Sequence, residues 1–178
     1  MSGIGRHPIR PVSRHPLNPD TRYLIPDISD YDRDLTMPRD RGPSARPTHS
    51  SVRGLITAAR RARRNAHADY SHFKVGAALE TTDGTIVTGC NIENATYGLT
   101  ICAERVAMFK ALSEGHRRFR RVAIVADTEA PTPPCGACRQ ILWEFGGDLE
   151  VLLANLRRQT GTLRLADLLP LPFDARLL

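Results

Sequence analysis

Three thiols and one carboxylate carry the clearest chemistry in the chain. Cys102-Ala103-Glu104 is followed by Pro134-Cys135-Gly136-Ala137-Cys138. A single Cys and a C-x-x-C pair can supply three thiolates to one Zn²⁺. Catalytic zinc sites keep three protein ligands and leave the fourth position to water. Glu104 lies two residues past Cys102 and can accept a proton from that water, provided it is not itself a ligand. Three thiolates give the site a net charge of −1 and weaken the metal as a Lewis acid. A neighbouring cation would restore that acidity, and Arg105 is adjacent. Two other readings use the same cysteines. Cys135 and Cys138 as a redox pair would leave Cys102-Ala103-Glu104 without a purpose. Cys90 as a fourth ligand would close the site into a structural one, whereas alone it is a small buried hydrophobe.

The elements that must position these groups follow from periodicity and turn residues. Ser50-Ser51 offers an N-cap. Val52, Leu55, Ile56, Ala59, Ala62 and Ala66 recur at helical spacing through about His67. Phe73–Leu79 reads as a buried strand, Asp83-Gly84 as a hairpin turn and Thr85–Gly89 as the returning strand. Residues 91–100 have little apolar period and read as a loop. Ile101–Glu114 reads as a helix stopped by Gly115. Arg121–Ala126 is a strand. A second helix runs from about Cys135 to Phe145 and ends at Gly146-Gly147. Leu149–Ala154 is a strand, Leu163–Leu165 a short fifth one, and Ala166–Leu169 a helical turn. Strand–helix alternation in this half predicts parallel pairing, with helices on both sheet faces. Cys102 and the Cys135/Cys138 pair thus fall at helix N-termini, where partial positive charge favours thiolate.

Composition narrows the class. At 178 residues the natural expectation is one domain. The net charge is +6, and among 25 basic residues only Lys74 and Lys110 are Lys. Arg60, Arg61, Arg63 and Arg64 alternate with apolar positions and read as a solvated helix face, so nucleic acid is not the expected partner. Residues 1–50 hold eight of the 13 prolines and show no sustained period. They read as a disordered or loosely packed extension, ahead of a domain spanning 51–178. Their aspartates argue against a transit peptide, and Met37 offers an alternative start. No apolar run suggests a secretory leader or a membrane span. The expected compartment is the cytoplasm, where thiols stay reduced.

The pattern of Cys-Ala-Glu followed by Pro-Cys-x-x-Cys resembles that of zinc nucleobase deaminases. The likeness extends through Phe73-Lys74-Val75-Gly76-Ala77-Ala78-Leu79, Gly89-Cys90-Asn91-Ile92-Glu93-Asn94-Ala95 and Tyr97–Arg105. It continues through Pro134–Gln140 to Leu168-Leu169-Pro170 and Phe173. These ordered blocks resemble the small homotetrameric cytidine deaminases of pyrimidine salvage over residues 51–178. Two positions depart from the family pattern. Asp69 stands where a Pro precedes the Tyr70-Ser71 pair, and Leu171-Pro172 replace a Gly-Ala before Phe173.

The resemblance implies a three-layer α/β/α sandwich with a five-stranded mixed sheet, assembled as a homotetramer. It implies one Zn²⁺ per chain on Cys102, Cys135 and Cys138, with Glu104 as the proton-transferring catalytic residue. Arg105 matches an Arg that hydrogen-bonds the zinc-bound sulfurs. Asn91 and Glu93 sit two apart on an extended segment, so their side chains share a side; the family uses this pair to clamp ribose hydroxyls. Phe73 matches a ring that packs near the substrate, and Ala103 a backbone contact to the pyrimidine. Tyr97 and Phe173 match residues that reach into a neighbouring subunit's pocket. The implied reaction is hydrolytic deamination of cytidine and 2′-deoxycytidine. Deamination of modified cytosine nucleosides or aminonucleoside antibiotics is an alternative. A non-catalytic zinc or RNA-binding module is another, and it would have no use for Glu104.

Overall fold

A computed structural model describes residues 49–130, 132–157 and 159–174. Apart from His49 and Ser50, the N-terminal extension lies outside these residues. The described part is built on one five-stranded mixed sheet in the order β2-β1-β3-β4-β5. Its strands are β1 Val75–Thr81, β2 Ile86–Cys90, β3 Phe119–Ala126, β4 Glu150–Ala154 and β5 Gln159–Arg164. β1 pairs antiparallel with both β2 and β3, β3 pairs parallel with β4, and β4 pairs antiparallel with β5. The parallel pairing expected of the second half therefore holds for β3–β4 alone. The link from Ala154 to Gln159 is too short for a crossover, so β5 returns as a hairpin.

Among the described residues four α-helices cover the sheet, α1 Val52–Arg63, α2 Ala103–Ser113, α3 Gly136–Gly146 and the single turn α4 Leu165–Leu168. α1 buries Leu55, Ile56 and Ala59 against Ala78, Ala123, Val125 and Leu152 on one face. On the other face, Ala107 and Met108 of α2, Leu142 of α3 and Leu165 of α4 pack on Ala77, Leu79, Val122, Ile124 and Val151. This is the expected three-layer sandwich. Two glycines let the helices lie close to the sheet. A Cβ on Gly76 would stand 2.1 Å from the Ala59 carbonyl of α1, and one on Gly89 would stand 2.5 Å from the Ala103 carbonyl of α2. Gly89 therefore sets how deeply the start of α2 can sit against β2.

The N-cap expectation holds, since Ser51 Oγ accepts a 3.0 Å hydrogen bond from Gly54 N. α1 ends at Arg63, earlier than the alanine spacing suggests. Arg64, Asn65 and Ala66 donate to carbonyls three residues back, so the chain tightens and leaves the helix. A buried ion pair fastens the domain's first residues to the sheet. Arg121 Nε donates to Glu80 Oε2 at 2.5 Å, and both side chains are nearly or fully buried. Ser50 N and Oγ donate to Glu80 Oε1 at 2.6 and 2.8 Å, while Arg121 Nη2 donates to Ser50 O. Ser50 thus packs with the domain that follows it.

Candidate active site

The thiols meet where two helices begin. Cys102 is the N-cap of α2, Cys135 is the N-cap of α3 and Cys138 lies in the first turn of α3. Neither N-cap sulfur is used to cap its own helix. The three Sγ atoms lie within 4.8 Å of one another, and Cys102 Sγ is 3.9 Å from Cys135 Sγ. Tetrahedral Zn–S bonds of about 2.3 Å require sulfurs about 3.8 Å apart. The donor set and its spacing therefore fit zinc. Among the described residues this is the one cluster of metal-binding type, and Cys90 is outside it. Cys90 ends β2 opposite Gly76, and burial raises its thiol pKa. The readings of four sulfur ligands and of an isolated redox pair both fall away.

Charge around the sulfurs is arranged unequally. The Cys102 thiol is brought down to about 5, first by a hydrogen bond with Cys138, then by Arg105 and Cys135. Its partner Cys138 is pushed up by the same contact and by burial. Arg105 Nη2 donates to Cys102 Sγ at 3.6 Å and to Thr100 O at 3.1 Å. The guanidinium thus supplies the cation that a three-thiolate site calls for. Glu104 follows in the first turn of α2 and is 5% exposed. Burial pushes its carboxyl up to about 7, and the Cys102 charge adds to the rise.

These groups open onto a cleft of ≈ 330 Å³. Of the residues singled out from the sequence, Phe73, Asn91, Glu93, Cys102, Ala103, Glu104 and Cys135 all line it. Cys138 is fully buried. Tyr97 lines an adjoining cavity of ≈ 350 Å³ with Tyr70, Ser71, Glu93 and Thr100. Its ring meets Tyr70 edge-on at 6.0 Å. Phe173 is not among the residues lining the cleft. Its carbonyl accepts from Gln140 Nε2 at 2.6 Å on α3, and the residue is 60% exposed. Leu171 beside it is 93% exposed.

Asn91 and Glu93 are positioned by different means. Asn91 behaves like a peptide group added to the end of β1. Its Oδ1 accepts from Val75 N at 2.8 Å and its Nδ2 donates to Phe73 O at 2.9 Å. This explains why β1 starts at Val75 and not at Phe73. An amide has two donors and two acceptor lone pairs, so one of each remains for a ligand. Glu93 is held by the turn carrying the Asp69 departure. Tyr70 N and Ser71 N donate to its Oε2 at 2.8 and 3.2 Å, and Ser71 Oγ donates to its Oε1.

Two residues of this site were not given roles from the sequence. Ser71 contacts Glu93 and also lines the cleft. Its signal was a hydroxyl two residues before Phe73, whose N–H it accepts at 3.0 Å. Arg139 reaches back to Pro134 O at 2.7 Å and across to Leu168 O at 3.0 Å. It ties the loop before Cys135 to the end of α4. Nothing in local periodicity separates such an Arg from a solvated one.

Residues 50–154 match the family model described as the cytidine and deoxycytidylate deaminase zinc-binding region. The chain belongs to the cytidine deaminase family. A cytidine deaminase of Sporosarcina psychrophila is 52% identical over 124 residues, covering 69% of this chain and 91% of that protein. One from Halalkalibacterium halodurans is 52% identical over 122 residues, covering 68% and 92%. The crystal structure of the cytidine deaminase from Burkholderia pseudomallei superposes with a TM-score of 0.68 at 50% identity. It covers 70% of this chain and all of that one. In this family the zinc-binding region is the stretch that spans Cys102, Cys135 and Cys138 here.

Proposed function

We propose that the protein deaminates cytidine and 2′-deoxycytidine hydrolytically, giving uridine or 2′-deoxyuridine and ammonia, as a step of pyrimidine salvage. The observation that carries this reading is a buried glutamate, Glu104, beside a three-sulfur cluster in one nucleoside-sized cleft. One Zn²⁺ per chain on Cys102, Cys135 and Cys138 supplies the chemistry of a water whose pKa is lowered towards neutrality.

Glu104 acts as the proton carrier. It takes a proton from the attacking water and delivers it to N3 of the cytosine while the water oxygen bonds to C4. It then takes the remaining hydroxyl proton and gives it to the amino group, which leaves as ammonia while C4 becomes a carbonyl. The proton on N3 stays in the product, so cytidine and water balance uridine and ammonia. A single carboxylate can make these transfers because both atoms lie on one edge of the ring. A carboxyl whose burial disfavours its charged form is suited to accept a proton and pass it on. Arg105 offsets the thiolate charge. Phe73 packs near the nucleoside, the Ala103 backbone contacts the pyrimidine, and Asn91 and Glu93 hold the sugar hydroxyls.

The assembly we infer is a homotetramer with shared pockets. It is supported by the exposed rings of Tyr70, Tyr97 and Phe173 and by the exposed Leu99. Tyr97 and Phe173 are then the parts of the pocket that one copy lends another. The catalytic unit is residues 51–178, so removal of residues 1–45 is expected to leave turnover largely intact. Among the described residues no helix is long and apolar enough to cross a membrane.

The deciding experiment measures ammonia release from cytidine, 2′-deoxycytidine, modified cytosine nucleosides and cytosine-containing oligonucleotides, with zinc content determined in parallel. Turnover of the two free nucleosides at one zinc per chain is expected. Activity confined to oligonucleotides or to a modified nucleoside would replace this reading. Light scattering tests the assembly.

A further inference from the structure

We propose that Ser71 is a positioning residue that couples the sugar-binding carboxylate Glu93 to the ring of Phe73, and so helps set selectivity for the sugar. The proposal rests on the reading above in which Glu93 and Phe73 contact the nucleoside. A Ser hydroxyl has one proton to give and can accept in return. Ser71 uses both capacities. It donates to Glu93 Oε1 and accepts from Phe73 N at 3.0 Å. Its own N–H donates to Glu93 Oε2 at 3.2 Å, beside the Tyr70 N–H at 2.8 Å. Both oxygens of Glu93 are therefore held from this one turn.

The turn is itself a built feature. His72 adopts a left-handed backbone with φ 57, which side chains with a Cβ seldom take. It is pinned by a 2.9 Å bond from its N–H to Ala68 O. The chain reverses there between the Ser71 hydroxyl and Phe73. Glu93 is half-buried and lines the cleft, so without these bonds its carboxylate could turn to other rotamers within that space. A carboxylate fixed in advance loses less freedom when it takes a substrate hydroxyl. The two charge-assisted bonds that Ser71 donates thus order the sugar contact, and the bond it accepts from Phe73 N ties the backbone that carries the ring to the same hydroxyl.

The test compares wild type, Ser71→Ala, Ser71→Thr, Glu93→Gln and the Ser71→Ala/Glu93→Gln double variant. Steady-state kinetics are run on cytidine, 2′-deoxycytidine and 3′-deoxycytidine, with zinc content and thermal unfolding checked for each. The hydroxyl that Glu93 takes is the one whose removal from the substrate abolishes the effect of Glu93→Gln. For cytidine, Ser71→Ala should raise KM about tenfold with kcat changed by less than about threefold. For the deoxy analogue lacking that hydroxyl, the KM change should shrink to within about twofold. Ser71→Thr keeps the hydroxyl and should restore most of the loss. In the double variant, Ser71→Ala should add little to Glu93→Gln. An equal KM increase on all three nucleosides, a fall in kcat alone, or additive effects in the double variant would overturn the proposal. So would a Glu93→Gln enzyme with unchanged kinetics on every nucleoside. A wild type inert towards all three would instead overturn the functional reading, and this inference with it.

Discussion

The zinc side of the cleft and the side we propose for the sugar are assembled on different principles. Cys102, Glu104 and Cys138 sit on the first residues of α2 and α3, helices seated on the sheet, and Glu104 and Cys138 are buried. Their geometry is complete within one chain. Glu93, Tyr97 and Phe173 sit on loops or on the chain's tail; Glu93 is half-buried, Tyr97 and Phe173 are exposed, and Tyr97 meets the Tyr70 ring edge-on. A polar turn holds Glu93, and Tyr97 and Phe173 present largely exposed rings. The difference follows what each side must do. Proton transfer demands groups fixed within fractions of an ångström, which a packed helix start supplies. Sugar recognition and closure need a surface that admits a ligand and, in the assembly we propose, a neighbouring copy.

The sharpest way to break this contrast is Glu104→Gln, which keeps size and most hydrogen bonding but removes proton transfer. Turnover should fall by at least about 10²–10⁴-fold, with zinc and fold retained. Metal analysis and ammonia release check it, and near-normal turnover would show that the buried side is not where the proton moves.

The sheet on which both sides rest can be broken through Glu80 and Arg121, which hold Ser50 just ahead of α1. Burial alone would raise the Glu80 carboxyl, but hydrogen bonds from Arg121 and Ser50 and the Arg121 charge outweigh it. The carboxyl ends below its ordinary value. A folded value below the unfolded one stabilises the fold fully above the unfolded value of about 4.3. That stabilisation is lost as pH falls through the folded value. Arg121→Ala leaves a buried carboxylate unpaired and should cost about 3–5 kcal/mol at neutral pH. Denaturant melts across pH 3–7 check both size and sign. Stability unchanged on acidification in the wild type would show that Glu80 contributes nothing.

A milder disturbance, placed on the zinc side itself, is Gly89→Ala. The new Cβ meets backbone of α2 at Ala103 and Ala107, so α2 must shift, at a cost of about 1–3 kcal/mol. Because α2 carries Cys102 and Glu104, zinc occupancy and turnover should fall together. A variant with lowered melting temperature and full activity would show that the zinc side tolerates movement.

Phe173→Ala sharpens the contrast from the sugar side. Aromatic face packing contributes about 0.5–1.5 kcal/mol beyond area burial. KM should therefore rise a few-fold while zinc content and monomer stability stay unchanged. Unchanged kinetics would mean that the tail, with Leu171-Pro172 ahead of the ring, lies outside every pocket.

Residue types and spacing were enough to single out Cys102, Cys135 and Cys138, which the structure gathers into one cluster that could hold a metal ion, and Glu104 and Arg105 beside them. Helix starts are announced by local sequence, and a C-x-x-C pair at one of them leaves few uses for its thiols. The strands and helices of the sandwich were legible for the same reason, since period and turn residues act over short range. The end of α1, the start of β1 and the hairpin return of β5 were not. Asn91 takes the place of a strand partner at Phe73 and Val75, and nothing near residue 73 in the sequence records that. Only the tertiary structure could show that three sulfurs from two helices meet at zinc spacing, or that Gly89 lets α2 come close enough for them to do so. It alone joined Ser71 to Glu93 across 22 residues of chain. Local sequence sets the torsions and periods of each element. Which polar groups then meet across the fold depends on how those elements pack.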